Sequence, residues 1–178
     1  MKQLILTAAM IAISAPAYAQ DDGGLAVSPE AYQERAGLQQ APTVAVVQDL
    51  VAEVSSTLAS SGCAAALPII EELADESNRL ANIIAQGIEP FYQTRQSDRE
   101  PMPPELISEL ADAEAYANAL KDQRNEAWVT QGDCLIKTGN PDLAIAVLHQ
   151  ALRFIRFEDR ALWSRARQLL WSTAGYEY

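Results

Sequence analysis

The sequence is poor in the residues that most enzyme active sites use. Its 178 residues include one histidine, His149, and two cysteines, Cys63 and Cys134. There is no Cys-x-x-Cys motif, which excludes the redox and c-type haem sites that depend on it. A lone histidine supplies neither an acid–base pair nor a set of metal ligands, and no Ser or Cys lies in a nucleophile motif. The sequence therefore predicts a protein that is not an enzyme and has no cofactor, with His149 on its surface.

Positive charge is also scarce. The chain has 13 Lys and Arg against 24 Asp and Glu, a formal net charge of -11. A nucleic-acid binder needs positive charge to displace counterions from phosphates, so we expect no nucleic-acid partner and no adsorption to anionic lipid. Most acidic residues lie before residue 120, and most Lys and Arg follow it. The acidic part and the basic part could attract one another, or each could attract a different partner. The alternative is that most of these charges form solvated helix faces.

Long apolar runs are missing after the first 19 residues. None reaches the roughly 18 residues that a transmembrane helix requires, so we expect no membrane span in the mature chain. Residues 1–19 have the three parts of a bacterial secretory signal peptide: Lys2, a short apolar run, and the small-x-small sequence Ala17-Tyr18-Ala19. We predict cleavage after Ala19 and a periplasmic or secreted location. Residues 20–40 are polar and contain glycine, which favours a flexible leader.

Helical periodicity dominates the rest of the chain. With 49% hydrophobic residues the chain can form a core, and apolar side chains recur at steps of three and four in several stretches. These patterns predict a single all-α domain of antiparallel helical hairpins over residues 41–178, which form either an array or a small helical bundle of about five helices. In order we expect a hairpin over 42–90 that begins at Pro42, a loop over 91–104, a long helix and second hairpin over 105–157, and a closing helix over 158–173. The long helix should be continuous, because residues 121–126 contain no Gly or Pro.

The second hairpin has a sharp break at Thr138-Gly139-Asn140-Pro141. Gly139 suits the left-handed position just past a helix end. Asn140 is expected to cap the next helix with its side-chain oxygen, and Pro141 suits the first helical position. That next helix has the clearest apolar stripe in the chain: Leu143, Ala144, Val147, Leu148, Ala151, Leu152 and Ile155. Gly132, in the middle of the preceding helix, indicates a close approach by a neighbouring helix.

The segment from Asn125 to Phe157 resembles one tetratricopeptide repeat, a helix–turn–helix unit of about 34 residues. The matching large, small and turn positions are Trp128, Gly132, Leu135, Gly139, Ala144, Leu148 and Ala151. Gln131 and Arg156 depart from the pattern, standing where the family usually has Leu and often has Pro. The resemblance implies a right-handed helical array that binds proteins or peptides and performs no reaction. We therefore choose Trp128, Gln131, Arg153 and Arg156 as candidate partner-binding residues.

The two cysteines form a candidate disulfide. Cys63 lies at a turn between helices, and Cys134 lies near the end of another helix. If the hairpins stack as in a repeat array, the two residues meet, and disulfides persist in the compartments to which proteins are exported. The alternative is one buried thiol and one partly exposed thiol.

The sequence thus predicts an exported, non-enzymatic helical-repeat scaffold for a protein or peptide partner. An alternative is a periplasmic helical bundle that binds a small molecule or cation through its acidic second helix, which contains Glu71-Glu72 and Asp75-Glu76. Arg and aromatic residues interleave after residue 152. That composition is typical of binding hot spots, but aromatic residues in a core with Arg around them would give the same pattern.

Overall fold

The structure, a computed structural model, describes residues 42–89, 91 and 102–176. All five regular elements in these residues are helices: α1 Val44–Ser60, α2 Cys63–Gly87, α3 Pro104–Lys137, α4 Pro141–Phe154 and α5 Arg160–Thr173. The prediction of an all-α bundle of about five helices is confirmed. Among the described helices, none has both the length and the apolar character needed to cross a bilayer. The predicted signal peptide, the leader and most of the predicted loop over 91–104 lie outside the described residues.

The first hairpin turns at Gly62. The α1 helix was predicted to begin at Pro42, but it begins at Val44. Thr43 has an extended backbone, and its hydroxyl caps the helix by accepting a hydrogen bond from the Val46 amide at 3.3 Å. At the other end Gly62 has φ of 78°, a conformation that favours glycine, and its amide bonds back to the Thr57 carbonyl at 3.0 Å. The α2 helix starts immediately afterwards, so Cys63 is its first residue.

The long helix α3 is unbroken from Pro104 to Lys137, as predicted. Its 34 residues correspond to about 50 Å at 1.5 Å per residue. One hydrophobic cluster joins α3 to α1 and α2, and its largest fully buried side chain is Ile70. A second joins α3 to α4 and α5 around Val129 and Leu148. Trp128 packs against both clusters, so α3 is the common support of the whole described domain.

The α3–α4 turn ends α3 in a Schellman motif. Gly139 has φ of 81°, its amide donates to the Ile136 carbonyl at 3.1 Å, and the Asn140 amide donates to the Leu135 carbonyl at 2.8 Å. Pro141 occupies the first turn of α4 as predicted. The predicted side-chain cap by Asn140 is wrong. Its amide group instead donates backwards to the carbonyl and hydroxyl of Thr138, each at 3.2 Å, so the side chain stabilises the turn and not α4.

Gly132 lies where Leu148 of α4 packs directly against α3. A Cβ atom added there would be 2.5 Å from Cγ of Leu148, a distance that real Cβ atoms do not adopt. The sequence-based interpretation of Gly132 as a close-approach position is therefore confirmed. Leu148 fills the space above this glycine and is fully buried.

Two helix ends lie at other residues than the sequence predicted. The apolar stripe predicted that Ile155 lies in α4, but α4 ends at Phe154 and Ile155 is extended, with ψ of 125°. Ile155 still packs in the second cluster. The closing helix, predicted over 158–173, begins at Arg160, because the Asp159 carboxylate caps it by accepting a hydrogen bond from the Leu162 amide at 3.1 Å.

Candidate functional site

Two neighbouring polar residues of α3 are buried. Arg124 is 6% exposed and Asn125 is 1% exposed. Burial of a charge or an amide is unfavourable unless hydrogen bonds replace the lost water. The partners of these two side chains therefore identify a built polar site within the helical domain.

Asn125 connects α3 to the end of α4. Its Nδ2 donates to the carbonyl oxygen of Phe154 at 3.1 Å. Phe154 is the last residue of α4, where carbonyls have no partner within the helix. The Oδ1 of Asn125 accepts from both Nε and Nη2 of Arg124, at 3.2 and 3.0 Å. Asn125 therefore caps α4 and holds the Arg124 guanidinium in one orientation.

The Arg124 guanidinium lies against two aromatic rings that also contact each other, with centroids 5.6 Å apart. Its carbon is 4.6 Å from the ring centroid of Trp128 and 4.9 Å from that of Phe154. Its Nη1 donates to Oδ1 of Asn78 on α2 at 2.7 Å. Burial lowers the pKa of Arg124 from its ordinary value, and the Asp122 carboxylate opposes this shift. Because arginine titrates far above neutrality, Arg124 is a buried cation whose direct hydrogen-bond partners are neutral amides.

Above this pair lies an open groove of about 620 Å³ between α2, α3 and α4, which we call the amide groove. Its lining residues are Asp75, Asn78, Asn82, Asn118, Lys121, Asp122, Arg124, Asn125, Trp128, Gln150, Phe154 and Arg156. Five of these are Asn or Gln, whose side chains offer both donors and acceptors. Phe154 is 48% exposed at the edge of the groove. The groove thus combines amides, an exposed aromatic ring and a buried cation.

One rim of the amide groove is an ion pair between Arg156 and Asp122. Nε of Arg156 donates to Oδ1 of Asp122 at 3.1 Å, and Nη2 donates to Oδ2, so the pair is bidentate. It links the segment after α4 to α3. A second pair joins Arg165 of α5 to Asp133 of α3 at 3.3 Å. These arginines bind acidic residues of their own half of the chain, and not those that precede residue 120.

The structure brings together two of the four candidate partner-binding residues. Trp128 and Arg156 both line the amide groove. Gln131 is partly buried on α3 and Arg153 is exposed on α4, and neither lines it. Sequence reasoning missed Arg124, Asn125 and Asn78. A signal was present, because Arg124 follows Leu120 by four residues and so continues the apolar stripe of α3 into its polar stretch.

The candidate disulfide is present. Cys63 and Cys134 are bonded, with their Cα atoms 4.9 Å apart across a sequence separation of 71 residues. The bond joins the first residue of α2 to the last part of α3. It therefore links α2 and α3, two of the three helices that line the amide groove.

Most acidic residues of α2 are exposed on its surface. Glu71, Glu72 and Asp75 are exposed, and Glu76 pairs with Arg79 at 2.6 Å. Within residues 42–89, 91 and 102–176, no three His, Cys, Asp or Glu side chains are close enough to hold a metal ion. His149 is exposed on α4.

Comparisons with known proteins give no relative. The sequence matches no family model, no curated protein and no solved structure.

Proposed function

We propose that this protein is an exported, non-enzymatic scaffold of tetratricopeptide-like hairpins that binds a segment of another protein in the amide groove. The observation that supports the proposal most directly is the composition of that groove. Small-molecule pockets are mostly apolar with a few polar groups, whereas most residues lining this groove are polar. The side-chain amides of Asn82 and Gln150 offer the donor and acceptor pairs that a peptide backbone requires.

The rigid floor of the groove supports the same proposal. Trp and Arg are the residue types most enriched at the energetic centres of protein interfaces. Here hydrogen bonds to Asn125 and Asn78 hold Arg124, and Trp128 packs against both hydrophobic clusters. A prearranged surface reduces the conformational entropy that binding would otherwise cost. The exposed Phe154 ring adds an apolar contact at the edge.

Export rests on two features of the chain. Residues 1–19 have the pattern of a cleavable signal peptide. The disulfide between Cys63 and Cys134 suits an oxidising compartment such as the bacterial periplasm.

Site-specific photo-crosslinking tests the function. A photoreactive amino acid is placed at Gln150, which lines the groove, or at the neighbouring His149, which is exposed on the same helix but does not line it. We expect the Gln150 probe to crosslink a distinct protein in the periplasmic fraction. The probe-bearing chain itself should have been cleaved before Gln20. The His149 probe should not crosslink it.

A blocking variant links the crosslink to the groove. Asn82 is exposed and lines the groove from α2, so Asn82→Trp fills the groove without altering the core. This substitution should abolish the crosslink from Gln150. Equal crosslinking from both probe positions, or no crosslink from either, would contradict the proposal.

A further inference from the structure

The outer face of α5 carries arginines whose charges are stacked on aromatic rings. We define the α5 outer face as Phe157, Arg160, Trp163, Arg167, Trp171 and Tyr176. The Arg167 guanidinium carbon lies 4.6 Å from the Trp163 ring centroid and 4.7 Å from that of Trp171. Arg160 lies 5.0 Å from the ring of Phe157, just before α5. These contacts hold the guanidinium groups against the rings.

Neither stacked arginine has a carboxylate partner among the residues that the structure describes. The ion pairs there involve Arg79, Lys137, Arg156 and Arg165. Nε of Arg167 is buried without a hydrogen-bond partner in the described part of the chain. The α5 helix itself contains three arginines and no acidic residue. Its outer face therefore has positive charge that nothing described in the same chain neutralises.

This face is also apolar enough to form a contact. Phe157 is 76% exposed, Trp163 is 37% exposed and Tyr176 is 57% exposed. The opposite side of α5, through Leu162, Ala166 and others, packs in the second hydrophobic cluster. The aromatic residues of the outer face are thus additional to those that the core uses. Exposed Trp and Tyr beside Arg are typical of interface centres.

The first half of α3 is complementary in charge. Residues 104–120 contain acidic residues and no Lys or Arg. Glu105, Glu109 and Asp112 are exposed and recur at steps of four and three, so they share one face of the helix. Tyr116, 39% exposed, extends the same face. We call these four residues the acidic α3 face.

The spacing of the opposite charges matches. Arg160 and Arg167 are seven residues apart, two helical turns or about 10 Å along the axis. Glu105 and Asp112 are also seven residues apart. Two helices that pack side by side in opposite directions can therefore form both ion pairs at once. An arginine stacked on a ring keeps the outward edge of its guanidinium available for a bidentate bond to a carboxylate.

The two faces cannot meet within one chain. Arg165 contacts Asp133, which places the middle of α5, and with it Arg167, beside the last part of α3. Asp112 precedes Asp133 by 21 residues, roughly 30 Å along the unbroken helix. The start of α5 lies nearer to the acidic α3 face, because Arg156 pairs with Asp122, but Arg167 is too far from Glu105 and Asp112 for both ion pairs to form within one chain. Contact between the faces therefore requires a second molecule.

We propose that this protein self-associates by docking the α5 outer face of one copy on the acidic α3 face of a second copy. Charge complementarity identifies a second copy of the chain as the partner, because the chain itself presents the matching pair of carboxylates. This surface is separate from the amide groove, and the proposal is independent of the function assigned to that groove.

Sedimentation velocity of the oxidised chain over a range of concentrations tests the proposal. The wild type should associate reversibly, and more weakly at high salt because salt screens exposed charges. Arg160→Glu/Arg167→Glu and Glu105→Lys/Asp112→Lys should each weaken association by about tenfold or more, because like charges would then face one another. An equimolar mixture of the two variants should associate again.

The control is Arg153→Glu. It changes the charge of an exposed arginine on α4, outside both faces, and should leave association unchanged. Far-UV circular dichroism is used to check that each variant is folded. A wild type that stays monomeric at every concentration, or association that both charge reversals leave intact, overturns the proposal. If poly-L-glutamate changes the tryptophan fluorescence of a monomeric wild type but not of Arg160→Glu/Arg167→Glu, the occupant is a foreign acidic segment and the proposal is likewise overturned.

Discussion

At the scale of single residues, Gly132 decides how closely α3 and α4 pack. Alanine has a higher helix propensity than glycine by about 1 kcal/mol, which alone would stabilise the chain. Its Cβ would however lie 2.5 Å from Leu148 Cγ, in a packed interior. Overpacking of this kind costs about 1–3 kcal/mol. The difference between these two terms predicts that Gly132→Ala lowers the free energy of unfolding by up to roughly 2 kcal/mol in urea denaturation.

Gly87 provides the matched control. It is the last residue of α2, and a Cβ there would meet no atom within 4 Å. Gly87→Ala should leave the free energy of unfolding unchanged or slightly raised, since only the propensity term applies. A Gly132→Ala variant as stable as Gly87→Ala would show that Leu148 moves aside easily and that the contact does not fix the distance between the helices.

The same residue scale shows where sequence reasoning works. Gly132 and Gly139 were interpreted correctly, because a missing side chain or a left-handed backbone permits few alternatives. Asn140 was misread, because its amide can bond forwards to α4 or backwards to Thr138, and the sequence does not rank the two. Arg124 was missed because a charge on an apolar stripe is stable only when partners such as Asn78 are supplied by a distant helix.

At the scale of elements, the disulfide holds the start of α2 against the last part of α3. Its two cysteines have a sequence separation of 71, so the bond closes a long loop and strongly restricts the unfolded chain. In the loop-closure model such a crosslink stabilises the fold by about 4 kcal/mol. We expect a reducing agent to lower the free energy of unfolding by about that amount in urea denaturation followed by circular dichroism.

A variant without the bond shows whether the reducing agent acts through it. Cys63→Ala/Cys134→Ala should have the same stability with and without the agent. Equal stability of the oxidised and reduced wild type would mean that α2 and α3 are positioned by packing alone, and that the amide groove does not depend on the bond.

The helices themselves could be predicted from their periodicity, but the groove between them could not. Helical stripes indicate which face of each element is buried. Asn78, Arg124 and Gln150 line one groove because of the relative positions of α2, α3 and α4. A local sequence pattern contains no information about those positions. Stripes also do not end where helices do, which is why Ile155 was placed inside α4 although its backbone is extended.

At the scale of the whole molecule, α3 is a member of both hydrophobic clusters. The helices α1 and α2 have few alternatives for burying their apolar faces once α3 unfolds, and the same holds for α4 and α5. Trp128 packs against both clusters and therefore reports on both. Sharing one long helix should make the described domain unfold as a single cooperative unit.

Trp128 can be isolated as a probe, because the chain has only 3 tryptophans. In a Trp163→Phe/Trp171→Phe variant, we expect the urea transition seen by tryptophan fluorescence to coincide with that seen by far-UV circular dichroism, since coincident probes indicate two-state unfolding. The circular dichroism transition of the wild type serves as the reference for the two substitutions. Because Trp128 contacts both clusters, separate unfolding of α1 and α2 would appear as a first fluorescence step that accompanies loss of part of the helical signal, ahead of the main transition. In that case α3 would keep Trp128 packed against α4 and α5 alone, and the amide groove would lose its α2 wall before the rest of the domain unfolds.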